Sequence, residues 1–326
     1  MTAYVIRRLL LFVPMAIGIV IVTFCLLLLI PGDPAAVLLG QEATPEAIAT
    51  LRRTLGLDQP AYIQLFIYFG NVVQGDLGQS IFQNAPVSEI ILGRIGATLE
   101  LAIVALTMSA AIGITLGVIA AMRPGGIVDA SAMVLAQLGI SMPVYWLALL
   151  LMLAFAVMLG WLPAIGRGEP LLSAFGMAIA GNPAPLLDSL SHIALPAASL
   201  AVNSAAIISR LVRASMLEVL NEDFVRTARA KGVRRRQVIW KHALRNALLP
   251  VISVIGLRFG ALLGGAILTE TIFAWPGLGQ LTIAAISQRD LPLIQGIVLT
   301  FAMIFATVTL IVDLLYAVVD PRIRLK

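Results

Sequence analysis

Runs of about 20 residues without a charged side chain most constrain how this chain folds, since that length crosses a hydrocarbon core of about 30 Å as a helix. Residues 9–30 and residues 101–122 are each 22 residues long and contain no Asp, Glu, Lys or Arg. Only 12% of all residues are charged and the mean hydropathy is +0.99, whereas roughly 25% charged residues are typical of a soluble domain. The sequence predicts an all-α polytopic membrane protein.

Four further apolar runs bring the number of predicted transmembrane helices to six. Residues 130–166 lack charge for 37 residues, which is too long for one straight helix. Because proline removes a backbone donor and clashes with the preceding turn, we expect a kink at Pro143 and the end of this span at Pro163. The remaining spans are 189–209, 246–269 and 291–312. Residues 171–180 are apolar but too short to cross, which favours an interfacial segment.

A cleaved signal peptide is the alternative interpretation of the first run, because Arg7 and Arg8 precede it. The run exceeds the signal core of about 7–15 residues, and the Pro-Gly-Asp-Pro segment that follows is not a small-residue cleavage site. We therefore expect residues 1–30 to form the N-terminus and first transmembrane helix. Residues 31–100 are then an extracytoplasmic segment, and residues 101–326 hold five helices with a cytoplasmic loop at 210–245.

The distribution of basic residues predicts the orientation, because Lys and Arg favour the cytoplasmic side. With both termini inside, 16 of the 22 Lys and Arg residues fall in inner segments and five in outer ones. We therefore expect both termini in the cytoplasm. The same bias explains the sequence pI of about 9.8, so the positive charge requires no nucleic acid as partner. The single cysteine, Cys25, excludes an internal disulfide framework.

The extracytoplasmic segment contains an amphipathic stretch at residues 45–57. Thr44 is suited to cap its start and Gly56 to end it. About 70 residues suffice for a small helical cap over the membrane part, but not for a large independent core.

The cytoplasmic loop contains the most polar stretch of the chain, DFVRTARAKGVRRRQVIWKH at residues 223–242. Asp223 is suited to cap a short helix. Phe224 and Ala228 are four residues apart and share a face, and Gly232 is suited to end the helix in the left-handed conformation. A second helix then leads into the fifth span. The alternative is purely topological: the basic residues hold the membrane orientation and contact anionic lipid.

The segment from Arg226 to Gly232 resembles the EAA loop of ABC importer permeases. Ala228 and Gly232 match the second alanine and the glycine of that motif, while Arg226 and Thr227 replace its Glu and Ala. The distance from the glycine to Pro250 is about five residues longer than in the general motif. These departures resemble the subfamily of first permease subunits that imports dipeptides, oligopeptides, nickel and glutathione.

Further fragments resemble that subfamily along nearly the whole chain. In chain order they are Pro31-Gly32-Asp33-Pro34, Leu55-Gly56-Leu57-Asp58-Gln59-Pro60, Gly75-Asp76-Leu77-Gly78, Thr98-Leu99-Glu100, Ser141-Met142-Pro143, Trp161-Leu162-Pro163, Glu270, Phe273, Pro276-Gly277-Leu278-Gly279, Asp290-Leu291-Pro292, Tyr316 and Asp320-Pro321-Arg322. Each fragment alone is weak, but their order is specific.

The resemblance implies the type I ABC importer permease fold in a bacterial cytoplasmic (inner) membrane. It implies four kinds of partner: a second homologous permease subunit in a heterodimer, two cytoplasmic ATPase subunits or domains, an extracytoplasmic substrate-binding protein, and membrane lipid. It also implies that a short helix couples the permease to the ATPase. The residues expected at this contact are Phe224, Arg226, Thr227, Ala228, Ala230, Lys231 and Gly232.

Catalytic sites are not expected in this chain. It contains no G-x-x-x-x-G-K-[ST] phosphate loop, so ATP and Mg²⁺ are expected on the partner ATPases, and no cofactor on this chain. Its two histidines, His192 and His242, are 50 positions apart, and no cluster has the spacing of metal ligands. An intramembrane hydrolase would need a paired carboxylate or a nucleophile with a base, and these are missing.

Candidates for the translocation path are Arg258, Asn203 and Ser141. Arg258 is the sole cation well inside a predicted span. It lines the path, pairs with the partner subunit, or extends its guanidinium to the membrane surface. Small polar residues also serve to pack helices together. Glu270 and Asp313, near span ends, are expected to be structural or interfacial.

An ion-coupled secondary transporter is the alternative function. Such a carrier would place carboxylates or broken helices at mid-membrane, and no predicted span centre carries an acid. The substrate, whether peptide, nickel complex or glutathione, is not specified by these residues.

Overall fold

Helices form the whole framework of the described part of the chain. The computed structural model describes residues 2–29, 44–54, 56 and 58–319. Its helices are α1 (Thr2–Leu29), α2 (Pro45–Thr54), α3 (Ala61–Val73), α4 (Val87–Met122), α5 (Ile127–Ser141), α6 (Val144–Leu151), α7 (Leu171–Ile179), α8 (Ala184–Val219), α9 (Asp223–Ala230), α10 (Arg235–Gln237), α11 (Leu244–Ile272), α12 (Leu278–Gln288) and α13 (Leu291–Val319). A π-helical stretch, Met152–Met158, continues α6, and another, Val238–Ala243, joins α10 to α11.

Within the described ranges, five helices are long and apolar enough to cross a membrane, and a bent pair makes a sixth span if it is counted as one. The five are Val5–Leu26, Val87–Met122, Ala184–Val219, Arg235–Ile272 and Leu291–Leu314. The bent pair is α5 followed by Val144–Met158, with an angle of 106° between them. Met142, at φ −81° and ψ 125°, is extended because the following Pro143 disfavours the helical conformation there. The predicted kink is confirmed.

Close packing of α4 against α8 forms the centre of the bundle. A Cβ atom on Gly113 would lie 2.7 Å from the carbonyl oxygen of Ala205, and one on Gly117 would lie 2.6 Å from that of Ser209. A step of four residues along α4, from Gly113 to Gly117, corresponds to a step of four residues in the same direction along α8, from Ala205 to Ser209. The two helices therefore run parallel. Small residues four positions apart allow such an approach in a membrane, where packing replaces the hydrophobic driving force.

The remaining long helices surround this pair. Leu262 of α11 belongs to the same buried cluster as Leu101 of α4 and Leu200 of α8. On its other side α11 packs against α13, where a Cβ on Gly260 would lie 2.3 Å from the ring of Phe305. An ion pair of 2.7 Å between Arg8 Nη1 and Asp313 Oδ2 joins α1 to α13, in agreement with a structural role for Asp313.

The outer helix α2 begins and ends near the predicted residues. Thr44 Oγ1 accepts a hydrogen bond from the backbone N–H of Ala47 at 3.3 Å, and Gly56 follows the helix with φ +67°. Some quoted fragments lie outside the described residues: residues 31–34, Leu55, Leu57, the side chain of Tyr316, and residues 320–322.

Candidate functional site

The short helix α9 lies in the predicted cytoplasmic loop and is fixed to the protein by one apolar side chain. Val225 is fully buried, and α9 packs against the π-helical stretch Val238–Ala243. By contrast Phe224, the preceding residue, is 43% exposed. A single buried anchor therefore leaves most of this helix at the surface.

Gly232 ends α9 in the way that the sequence predicts. Its φ is +74°, its N–H donates to the carbonyl of Arg229 at 3.0 Å, and the N–H of Val233 donates to the carbonyl of Ala228 at 3.2 Å. These two bonds make a Schellman motif, which favours glycine at the left-handed position. No atom lies within 4 Å of the position of a Cβ there, so this chain requires glycine for its conformation and not for space.

The start of α9 differs from the prediction. Asp223 was expected to be the N-cap, which is wrong: Glu222 occupies that position at φ −68° and ψ 150°, without a side-chain capping bond. The chain leaves α8 by a turn that makes Glu222 extended, and the Glu222 carbonyl accepts the first helical N–H groups, from Val225 and Arg226. Asp223 is instead the first helical residue, where its charge still suits the helix dipole.

The predicted coupling residues form a continuous exposed surface. Ala228 is half-buried one turn after Phe224, and the other members are exposed: Arg226, Thr227, Ala230, Lys231 and Gly232. Thr227 Oγ1 donates to the carbonyl of Asp223 at 2.9 Å, which satisfies its hydroxyl within the helix. The seven residues therefore lie on α9 and in the turn that ends it.

A cavity of about 560 Å³ lies beside the C-terminal end of α9. Arg229 and Arg235 line it together with the inner ends of α4 and α8 at Met122 and Leu217. Arg235 Nη2 donates to the carbonyl of Met122 at 3.3 Å. The cavity therefore separates the C-terminal end of α9 from the inner ends of α4 and α8, and Val225 is the buried side chain of α9.

Two of the three candidates for the translocation path lie close together. Asn203 Nδ2 donates to the carbonyl of Ile140 at 3.3 Å, next to Ser141, whose Oγ donates to the carbonyl of Gln137 at 2.9 Å. Arg258 is half-buried on α11. In the part of the chain that the structure describes, no hydrogen bond or ion pair of Arg258 occurs, so nothing of this kind joins it to Asn203 or Ser141.

The sequence did not predict a buried polar cluster at the opposite end of the bundle, which the distribution of basic residues predicts to be extracytoplasmic and which we call the outer end. Glu270 of α11 is fully buried, and its carboxylate accepts hydrogen bonds from Thr98 Oγ1 at 2.7 Å, the N–H of Gly279 at 2.7 Å and the N–H of Gln280 at 3.2 Å. Thr98 Oγ1 in turn accepts from the N–H of Leu278 at 2.7 Å. The first N–H groups of α12 are therefore satisfied by residues distant in sequence.

This cluster explains why Glu270 and Pro276-Gly277-Leu278-Gly279 occur together in the sequence. A Cβ on Gly277 would lie 2.4 Å from the carboxylate of Glu270, and one on Gly279 would lie 2.5 Å from Cα of Ile267. Glycine is therefore required at both places in Pro-Gly-Leu-Gly, because the carboxylate and the backbone of α11 approach so closely. The expected structural role of Glu270 agrees with this geometry.

Two further acids fasten the outer end. Asp290, also fully buried, accepts from Ser80 Oγ at 2.5 Å and from the N–H of Leu293 at 3.3 Å, so it joins the outer segment to the start of α13. Glu100 accepts from Arg167 Nη2 at 2.7 Å and from the N–H of Leu171 at 3.2 Å. Sequence position alone could not pair these residues.

Comparison with known proteins identifies the family. Residues 113–325 match the family described as binding-protein-dependent transport system inner membrane component, and residues 1–102 match the N-terminal region of such membrane components. The chain belongs to this family. Membership makes it a multi-pass protein of the bacterial inner membrane and a transport component, not an enzyme, and the family predicted from the motifs is confirmed.

Relatives in this family match the chain from end to end. The dipeptide transport system permease protein DppB of Escherichia coli K12 is 46% identical over 338 residues, which cover 100% of both chains. The glutathione transport system permease protein GsiC of Salmonella typhi is 41% identical over 326 residues, again covering 100% of both.

A solved structure shares the fold at lower identity. The inward-facing MetNI methionine ABC transporter matches with a TM-score of 0.56 and 18% identity, covering 71% of this chain and 96% of that one. This likeness supports the ABC importer permease fold.

Proposed function

We propose that this chain is a permease subunit of an ATP-driven importer that carries di- or oligopeptides, or a related small solute such as glutathione or a nickel complex. The end-to-end identity to permeases named for dipeptide and glutathione transport supports this substrate class. ATP and Mg²⁺ would be bound by separate ATPase subunits, since the chain contains no phosphate-binding loop.

The observation that carries the proposal is the exposed helix α9. It presents Phe224 at 43% exposure beside small and basic side chains, and a Schellman motif fixes its end at Gly232. An exposed aromatic side chain next to a half-buried alanine suits insertion into a groove on another protein. We assign that groove to the ATPase, with Phe224 as the apolar anchor and Arg226, Lys231 and their neighbours around it.

The transmission of force follows from continuity of the chain. Helix α9 packs against Val238–Ala243, which leads without a break from α10 into α11, and the whole stretch Arg235–Ile272 is one apolar helix. Movement of α9 by the ATPase would therefore tilt α11, which packs against α8 in the centre of the bundle. In this account the chain is a gate that another protein operates.

A second permease subunit and a substrate-binding protein complete the proposed transporter. Asn203, Ser141 and Arg258 would line the path between the two permease subunits, because polar side chains at membrane depth avoid lipid and face a cavity or a partner. The binding protein would deliver solute to the outer end.

The test uses two glycines with the same conformation. Gly232 has φ +74° and Gly125, in the other inner loop, has φ +75°, and neither has an atom within 4 Å of its Cβ position. Leucine at either place carries a similar conformational cost of about 1–2 kcal/mol, so folding is affected equally. We expect Gly232→Leu to abolish co-purification of the ATPase with the transporter and Gly125→Leu to retain it. Equal co-purification with both variants would refute the role of α9.

A further inference from the structure

Two polar side chains in the cytoplasmic half of α8 lie on one side of that helix. Ser109 Oγ, in the middle of the uncharged run 101–122, donates to the carbonyl of Ala201 at 3.2 Å, so the next turn of α8 lies near mid-membrane. Asn203 and Arg210 are seven residues apart and share a face. That face lies between the side of α8 that contacts α5 and the side that contacts α11.

Helix α5 adds two polar groups to this face. A Cβ on Gly139 would lie 3.0 Å from Val202, which places α5 on one side of Asn203. Arg210 Nη1 donates to Gln137 Oε1 at 3.5 Å, and Gln137 Nε2 donates to Ser141 Oγ at 3.4 Å. Gln137, Ser141 and Arg210 are all exposed.

Helix α11 adds Arg258 from the other side. A Cβ on Gly265 would lie 3.3 Å from Leu200 of α8. Arg258 is seven residues before Gly265, hence on the same strip of α11 and about 10 Å further toward the cytoplasmic end. On α8 that depth falls between Asn203 and Arg210. We call the five residues Gln137, Ser141, Asn203, Arg210 and Arg258 the polar face.

The polar face carries two positive charges and no acid. Residues 130–141 of α5, 189–217 of α8 and 244–269 of α11 contain no Asp or Glu. Arg213, one turn after Arg210, shows the contrast: its guanidinium binds the carboxylate of Asp129 through two bonds of 2.5 and 2.6 Å. Arg210 and Arg258 have no such acid in the described chain.

We infer that the polar face is an anion-accepting wall of the translocation path, where Arg210 and Arg258 receive the carboxylate of the passing solute. The inference rests on the proposed function and specifies its substrate class: a solute with a free carboxylate, as at the C-terminus of a peptide. Arg258 lies within a predicted span, where a cation faces a cavity or a counter-charge. Arg210 directly follows the predicted span 189–209, at its cytoplasmic end. A guanidinium binds a carboxylate through paired hydrogen bonds. An excess of one sign of charge in a low-dielectric cleft also concentrates ions of the opposite sign.

The charge preference of thiol modification tests this without a peptide. In the transporter co-expressed with its partners, Cys25, the chain's one cysteine, is replaced by Ser, and Asn203→Cys is introduced. Membranes are treated with two methanethiosulfonate reagents of similar size, one carrying a sulfonate and one a trimethylammonium group. The rate of each reagent with the cysteine is divided by its rate with a small free thiol in solution, which removes the difference in intrinsic reactivity between the two reagents. The control is Leu257→Cys. Leu257 is adjacent to Arg258 in sequence, and its side chain is 60% exposed.

We expect the anionic reagent to modify Asn203→Cys at least about tenfold faster than the cationic one. Adding Arg210→Gln and Arg258→Gln should bring the ratio to about one, whereas Arg258→Lys should retain most of it, which separates charge from folding. Leu257→Cys should show no preference for the anion. Equal rates in the presence of both arginines, as expected if an acid of the second subunit pairs with them, would overturn the inference, as would no reaction at Asn203→Cys.

The proposed function has a separate readout, because the reagents require no ATP. Loss of ATPase co-purification only in the Gly232→Leu variant supports coupling through α9 whatever the reagent ratio. A preserved ratio in a transporter whose ATPase contact does not depend on α9 would refute the coupling and leave the anion-accepting wall intact.

Discussion

The outer end of this bundle and the short helix α9 use their charged residues in opposite ways. At the outer end, Glu270 and Asp290 are fully buried and each accepts three hydrogen bonds. At the cytoplasmic end, the charged side chains of α9 are exposed, and Asp223 meets Arg226 only at 3.5 Å. Buried carboxylates with full sets of donors fix one geometry, whereas exposed charges remain available to another protein. We therefore interpret the outer end as a fixed scaffold, whereas α9 is the docking surface that we propose.

The largest effect on stability is expected from Glu270→Ala, which removes the central acceptor of the buried cluster at the outer end. It leaves the N–H groups of Gly279 and Gln280 and the hydroxyl of Thr98 without their acceptor, at about 1–3 kcal/mol for each buried group. We expect a large fall in the thermal unfolding midpoint of the purified transporter, measured in detergent. Glu218→Ala, an exposed acid at the inner end of α8, is the control. Equal midpoints for the two variants would mean that the buried cluster does not stabilise the outer end.

A substitution on α9 should do the reverse, leaving stability intact and removing function. Ala228→Trp places a large side chain on the proposed contact surface, and we expect ATP-driven uptake to fall about tenfold or more, equivalent to at least about 1.4 kcal/mol. The unfolding midpoint should not change. Ala180→Trp, an exposed alanine after α7, should leave uptake unchanged. Similar losses of uptake from Ala228→Trp and Ala180→Trp would show that the surface of α9 has no special role in transport.

Ser80→Ala tests the weaker part of the outer cluster. The Ser80 hydroxyl donates to Asp290 and accepts from the N–H of Gln83 at 3.1 Å, so its loss should cost about 1 kcal/mol. We expect a smaller decrease of the unfolding midpoint than for Glu270→Ala, together with faster proteolysis of the segment around residues 79–86. Unchanged proteolysis would show that Asp290 does not hold this segment.

The smallest effect is expected from Asp223→Ala at the cytoplasmic end. The Asp223 side chain is 96% exposed and that of Arg226 is 69% exposed, and ion pairs between such groups contribute about 0–1 kcal/mol. The unfolding midpoint should stay within experimental error of the unsubstituted protein. A clear decrease would indicate that α9 belongs to the rigid part of the molecule.

The features predicted from sequence are those set by neighbouring residues. Proline broke the third apolar run at Pro143, and glycine ended α9 at Gly232, because both act on the local backbone. The N-cap of α9 was predicted one residue late, since the turn after α8 decides whether Glu222 or Asp223 becomes extended. Neighbouring acids of similar propensity do not reveal this choice.

The outer cluster could not be predicted because its partners are far apart in the chain. Thr98 and Glu270 are 172 positions apart, and Ser80 and Asp290 are 210 apart. Helix α12 was missed for the same reason: its N-terminal N–H groups are satisfied by Glu270 and Thr98, and no capping side chain precedes it. A buried Glu near a predicted span end, followed by Pro-Gly-Leu-Gly, is the signal that could have indicated a close approach.

The most direct test of the account is uptake into proteoliposomes. This chain and its permease partner are reconstituted with or without the ATPase subunits. Binding protein and labelled dipeptide are added outside. The vesicles either enclose ATP or carry a proton or sodium gradient in place of ATP. We expect the dipeptide to accumulate against its own concentration gradient only when ATPase and ATP are both present inside. Uphill accumulation without the ATPase would contradict it and establish an ion-coupled carrier.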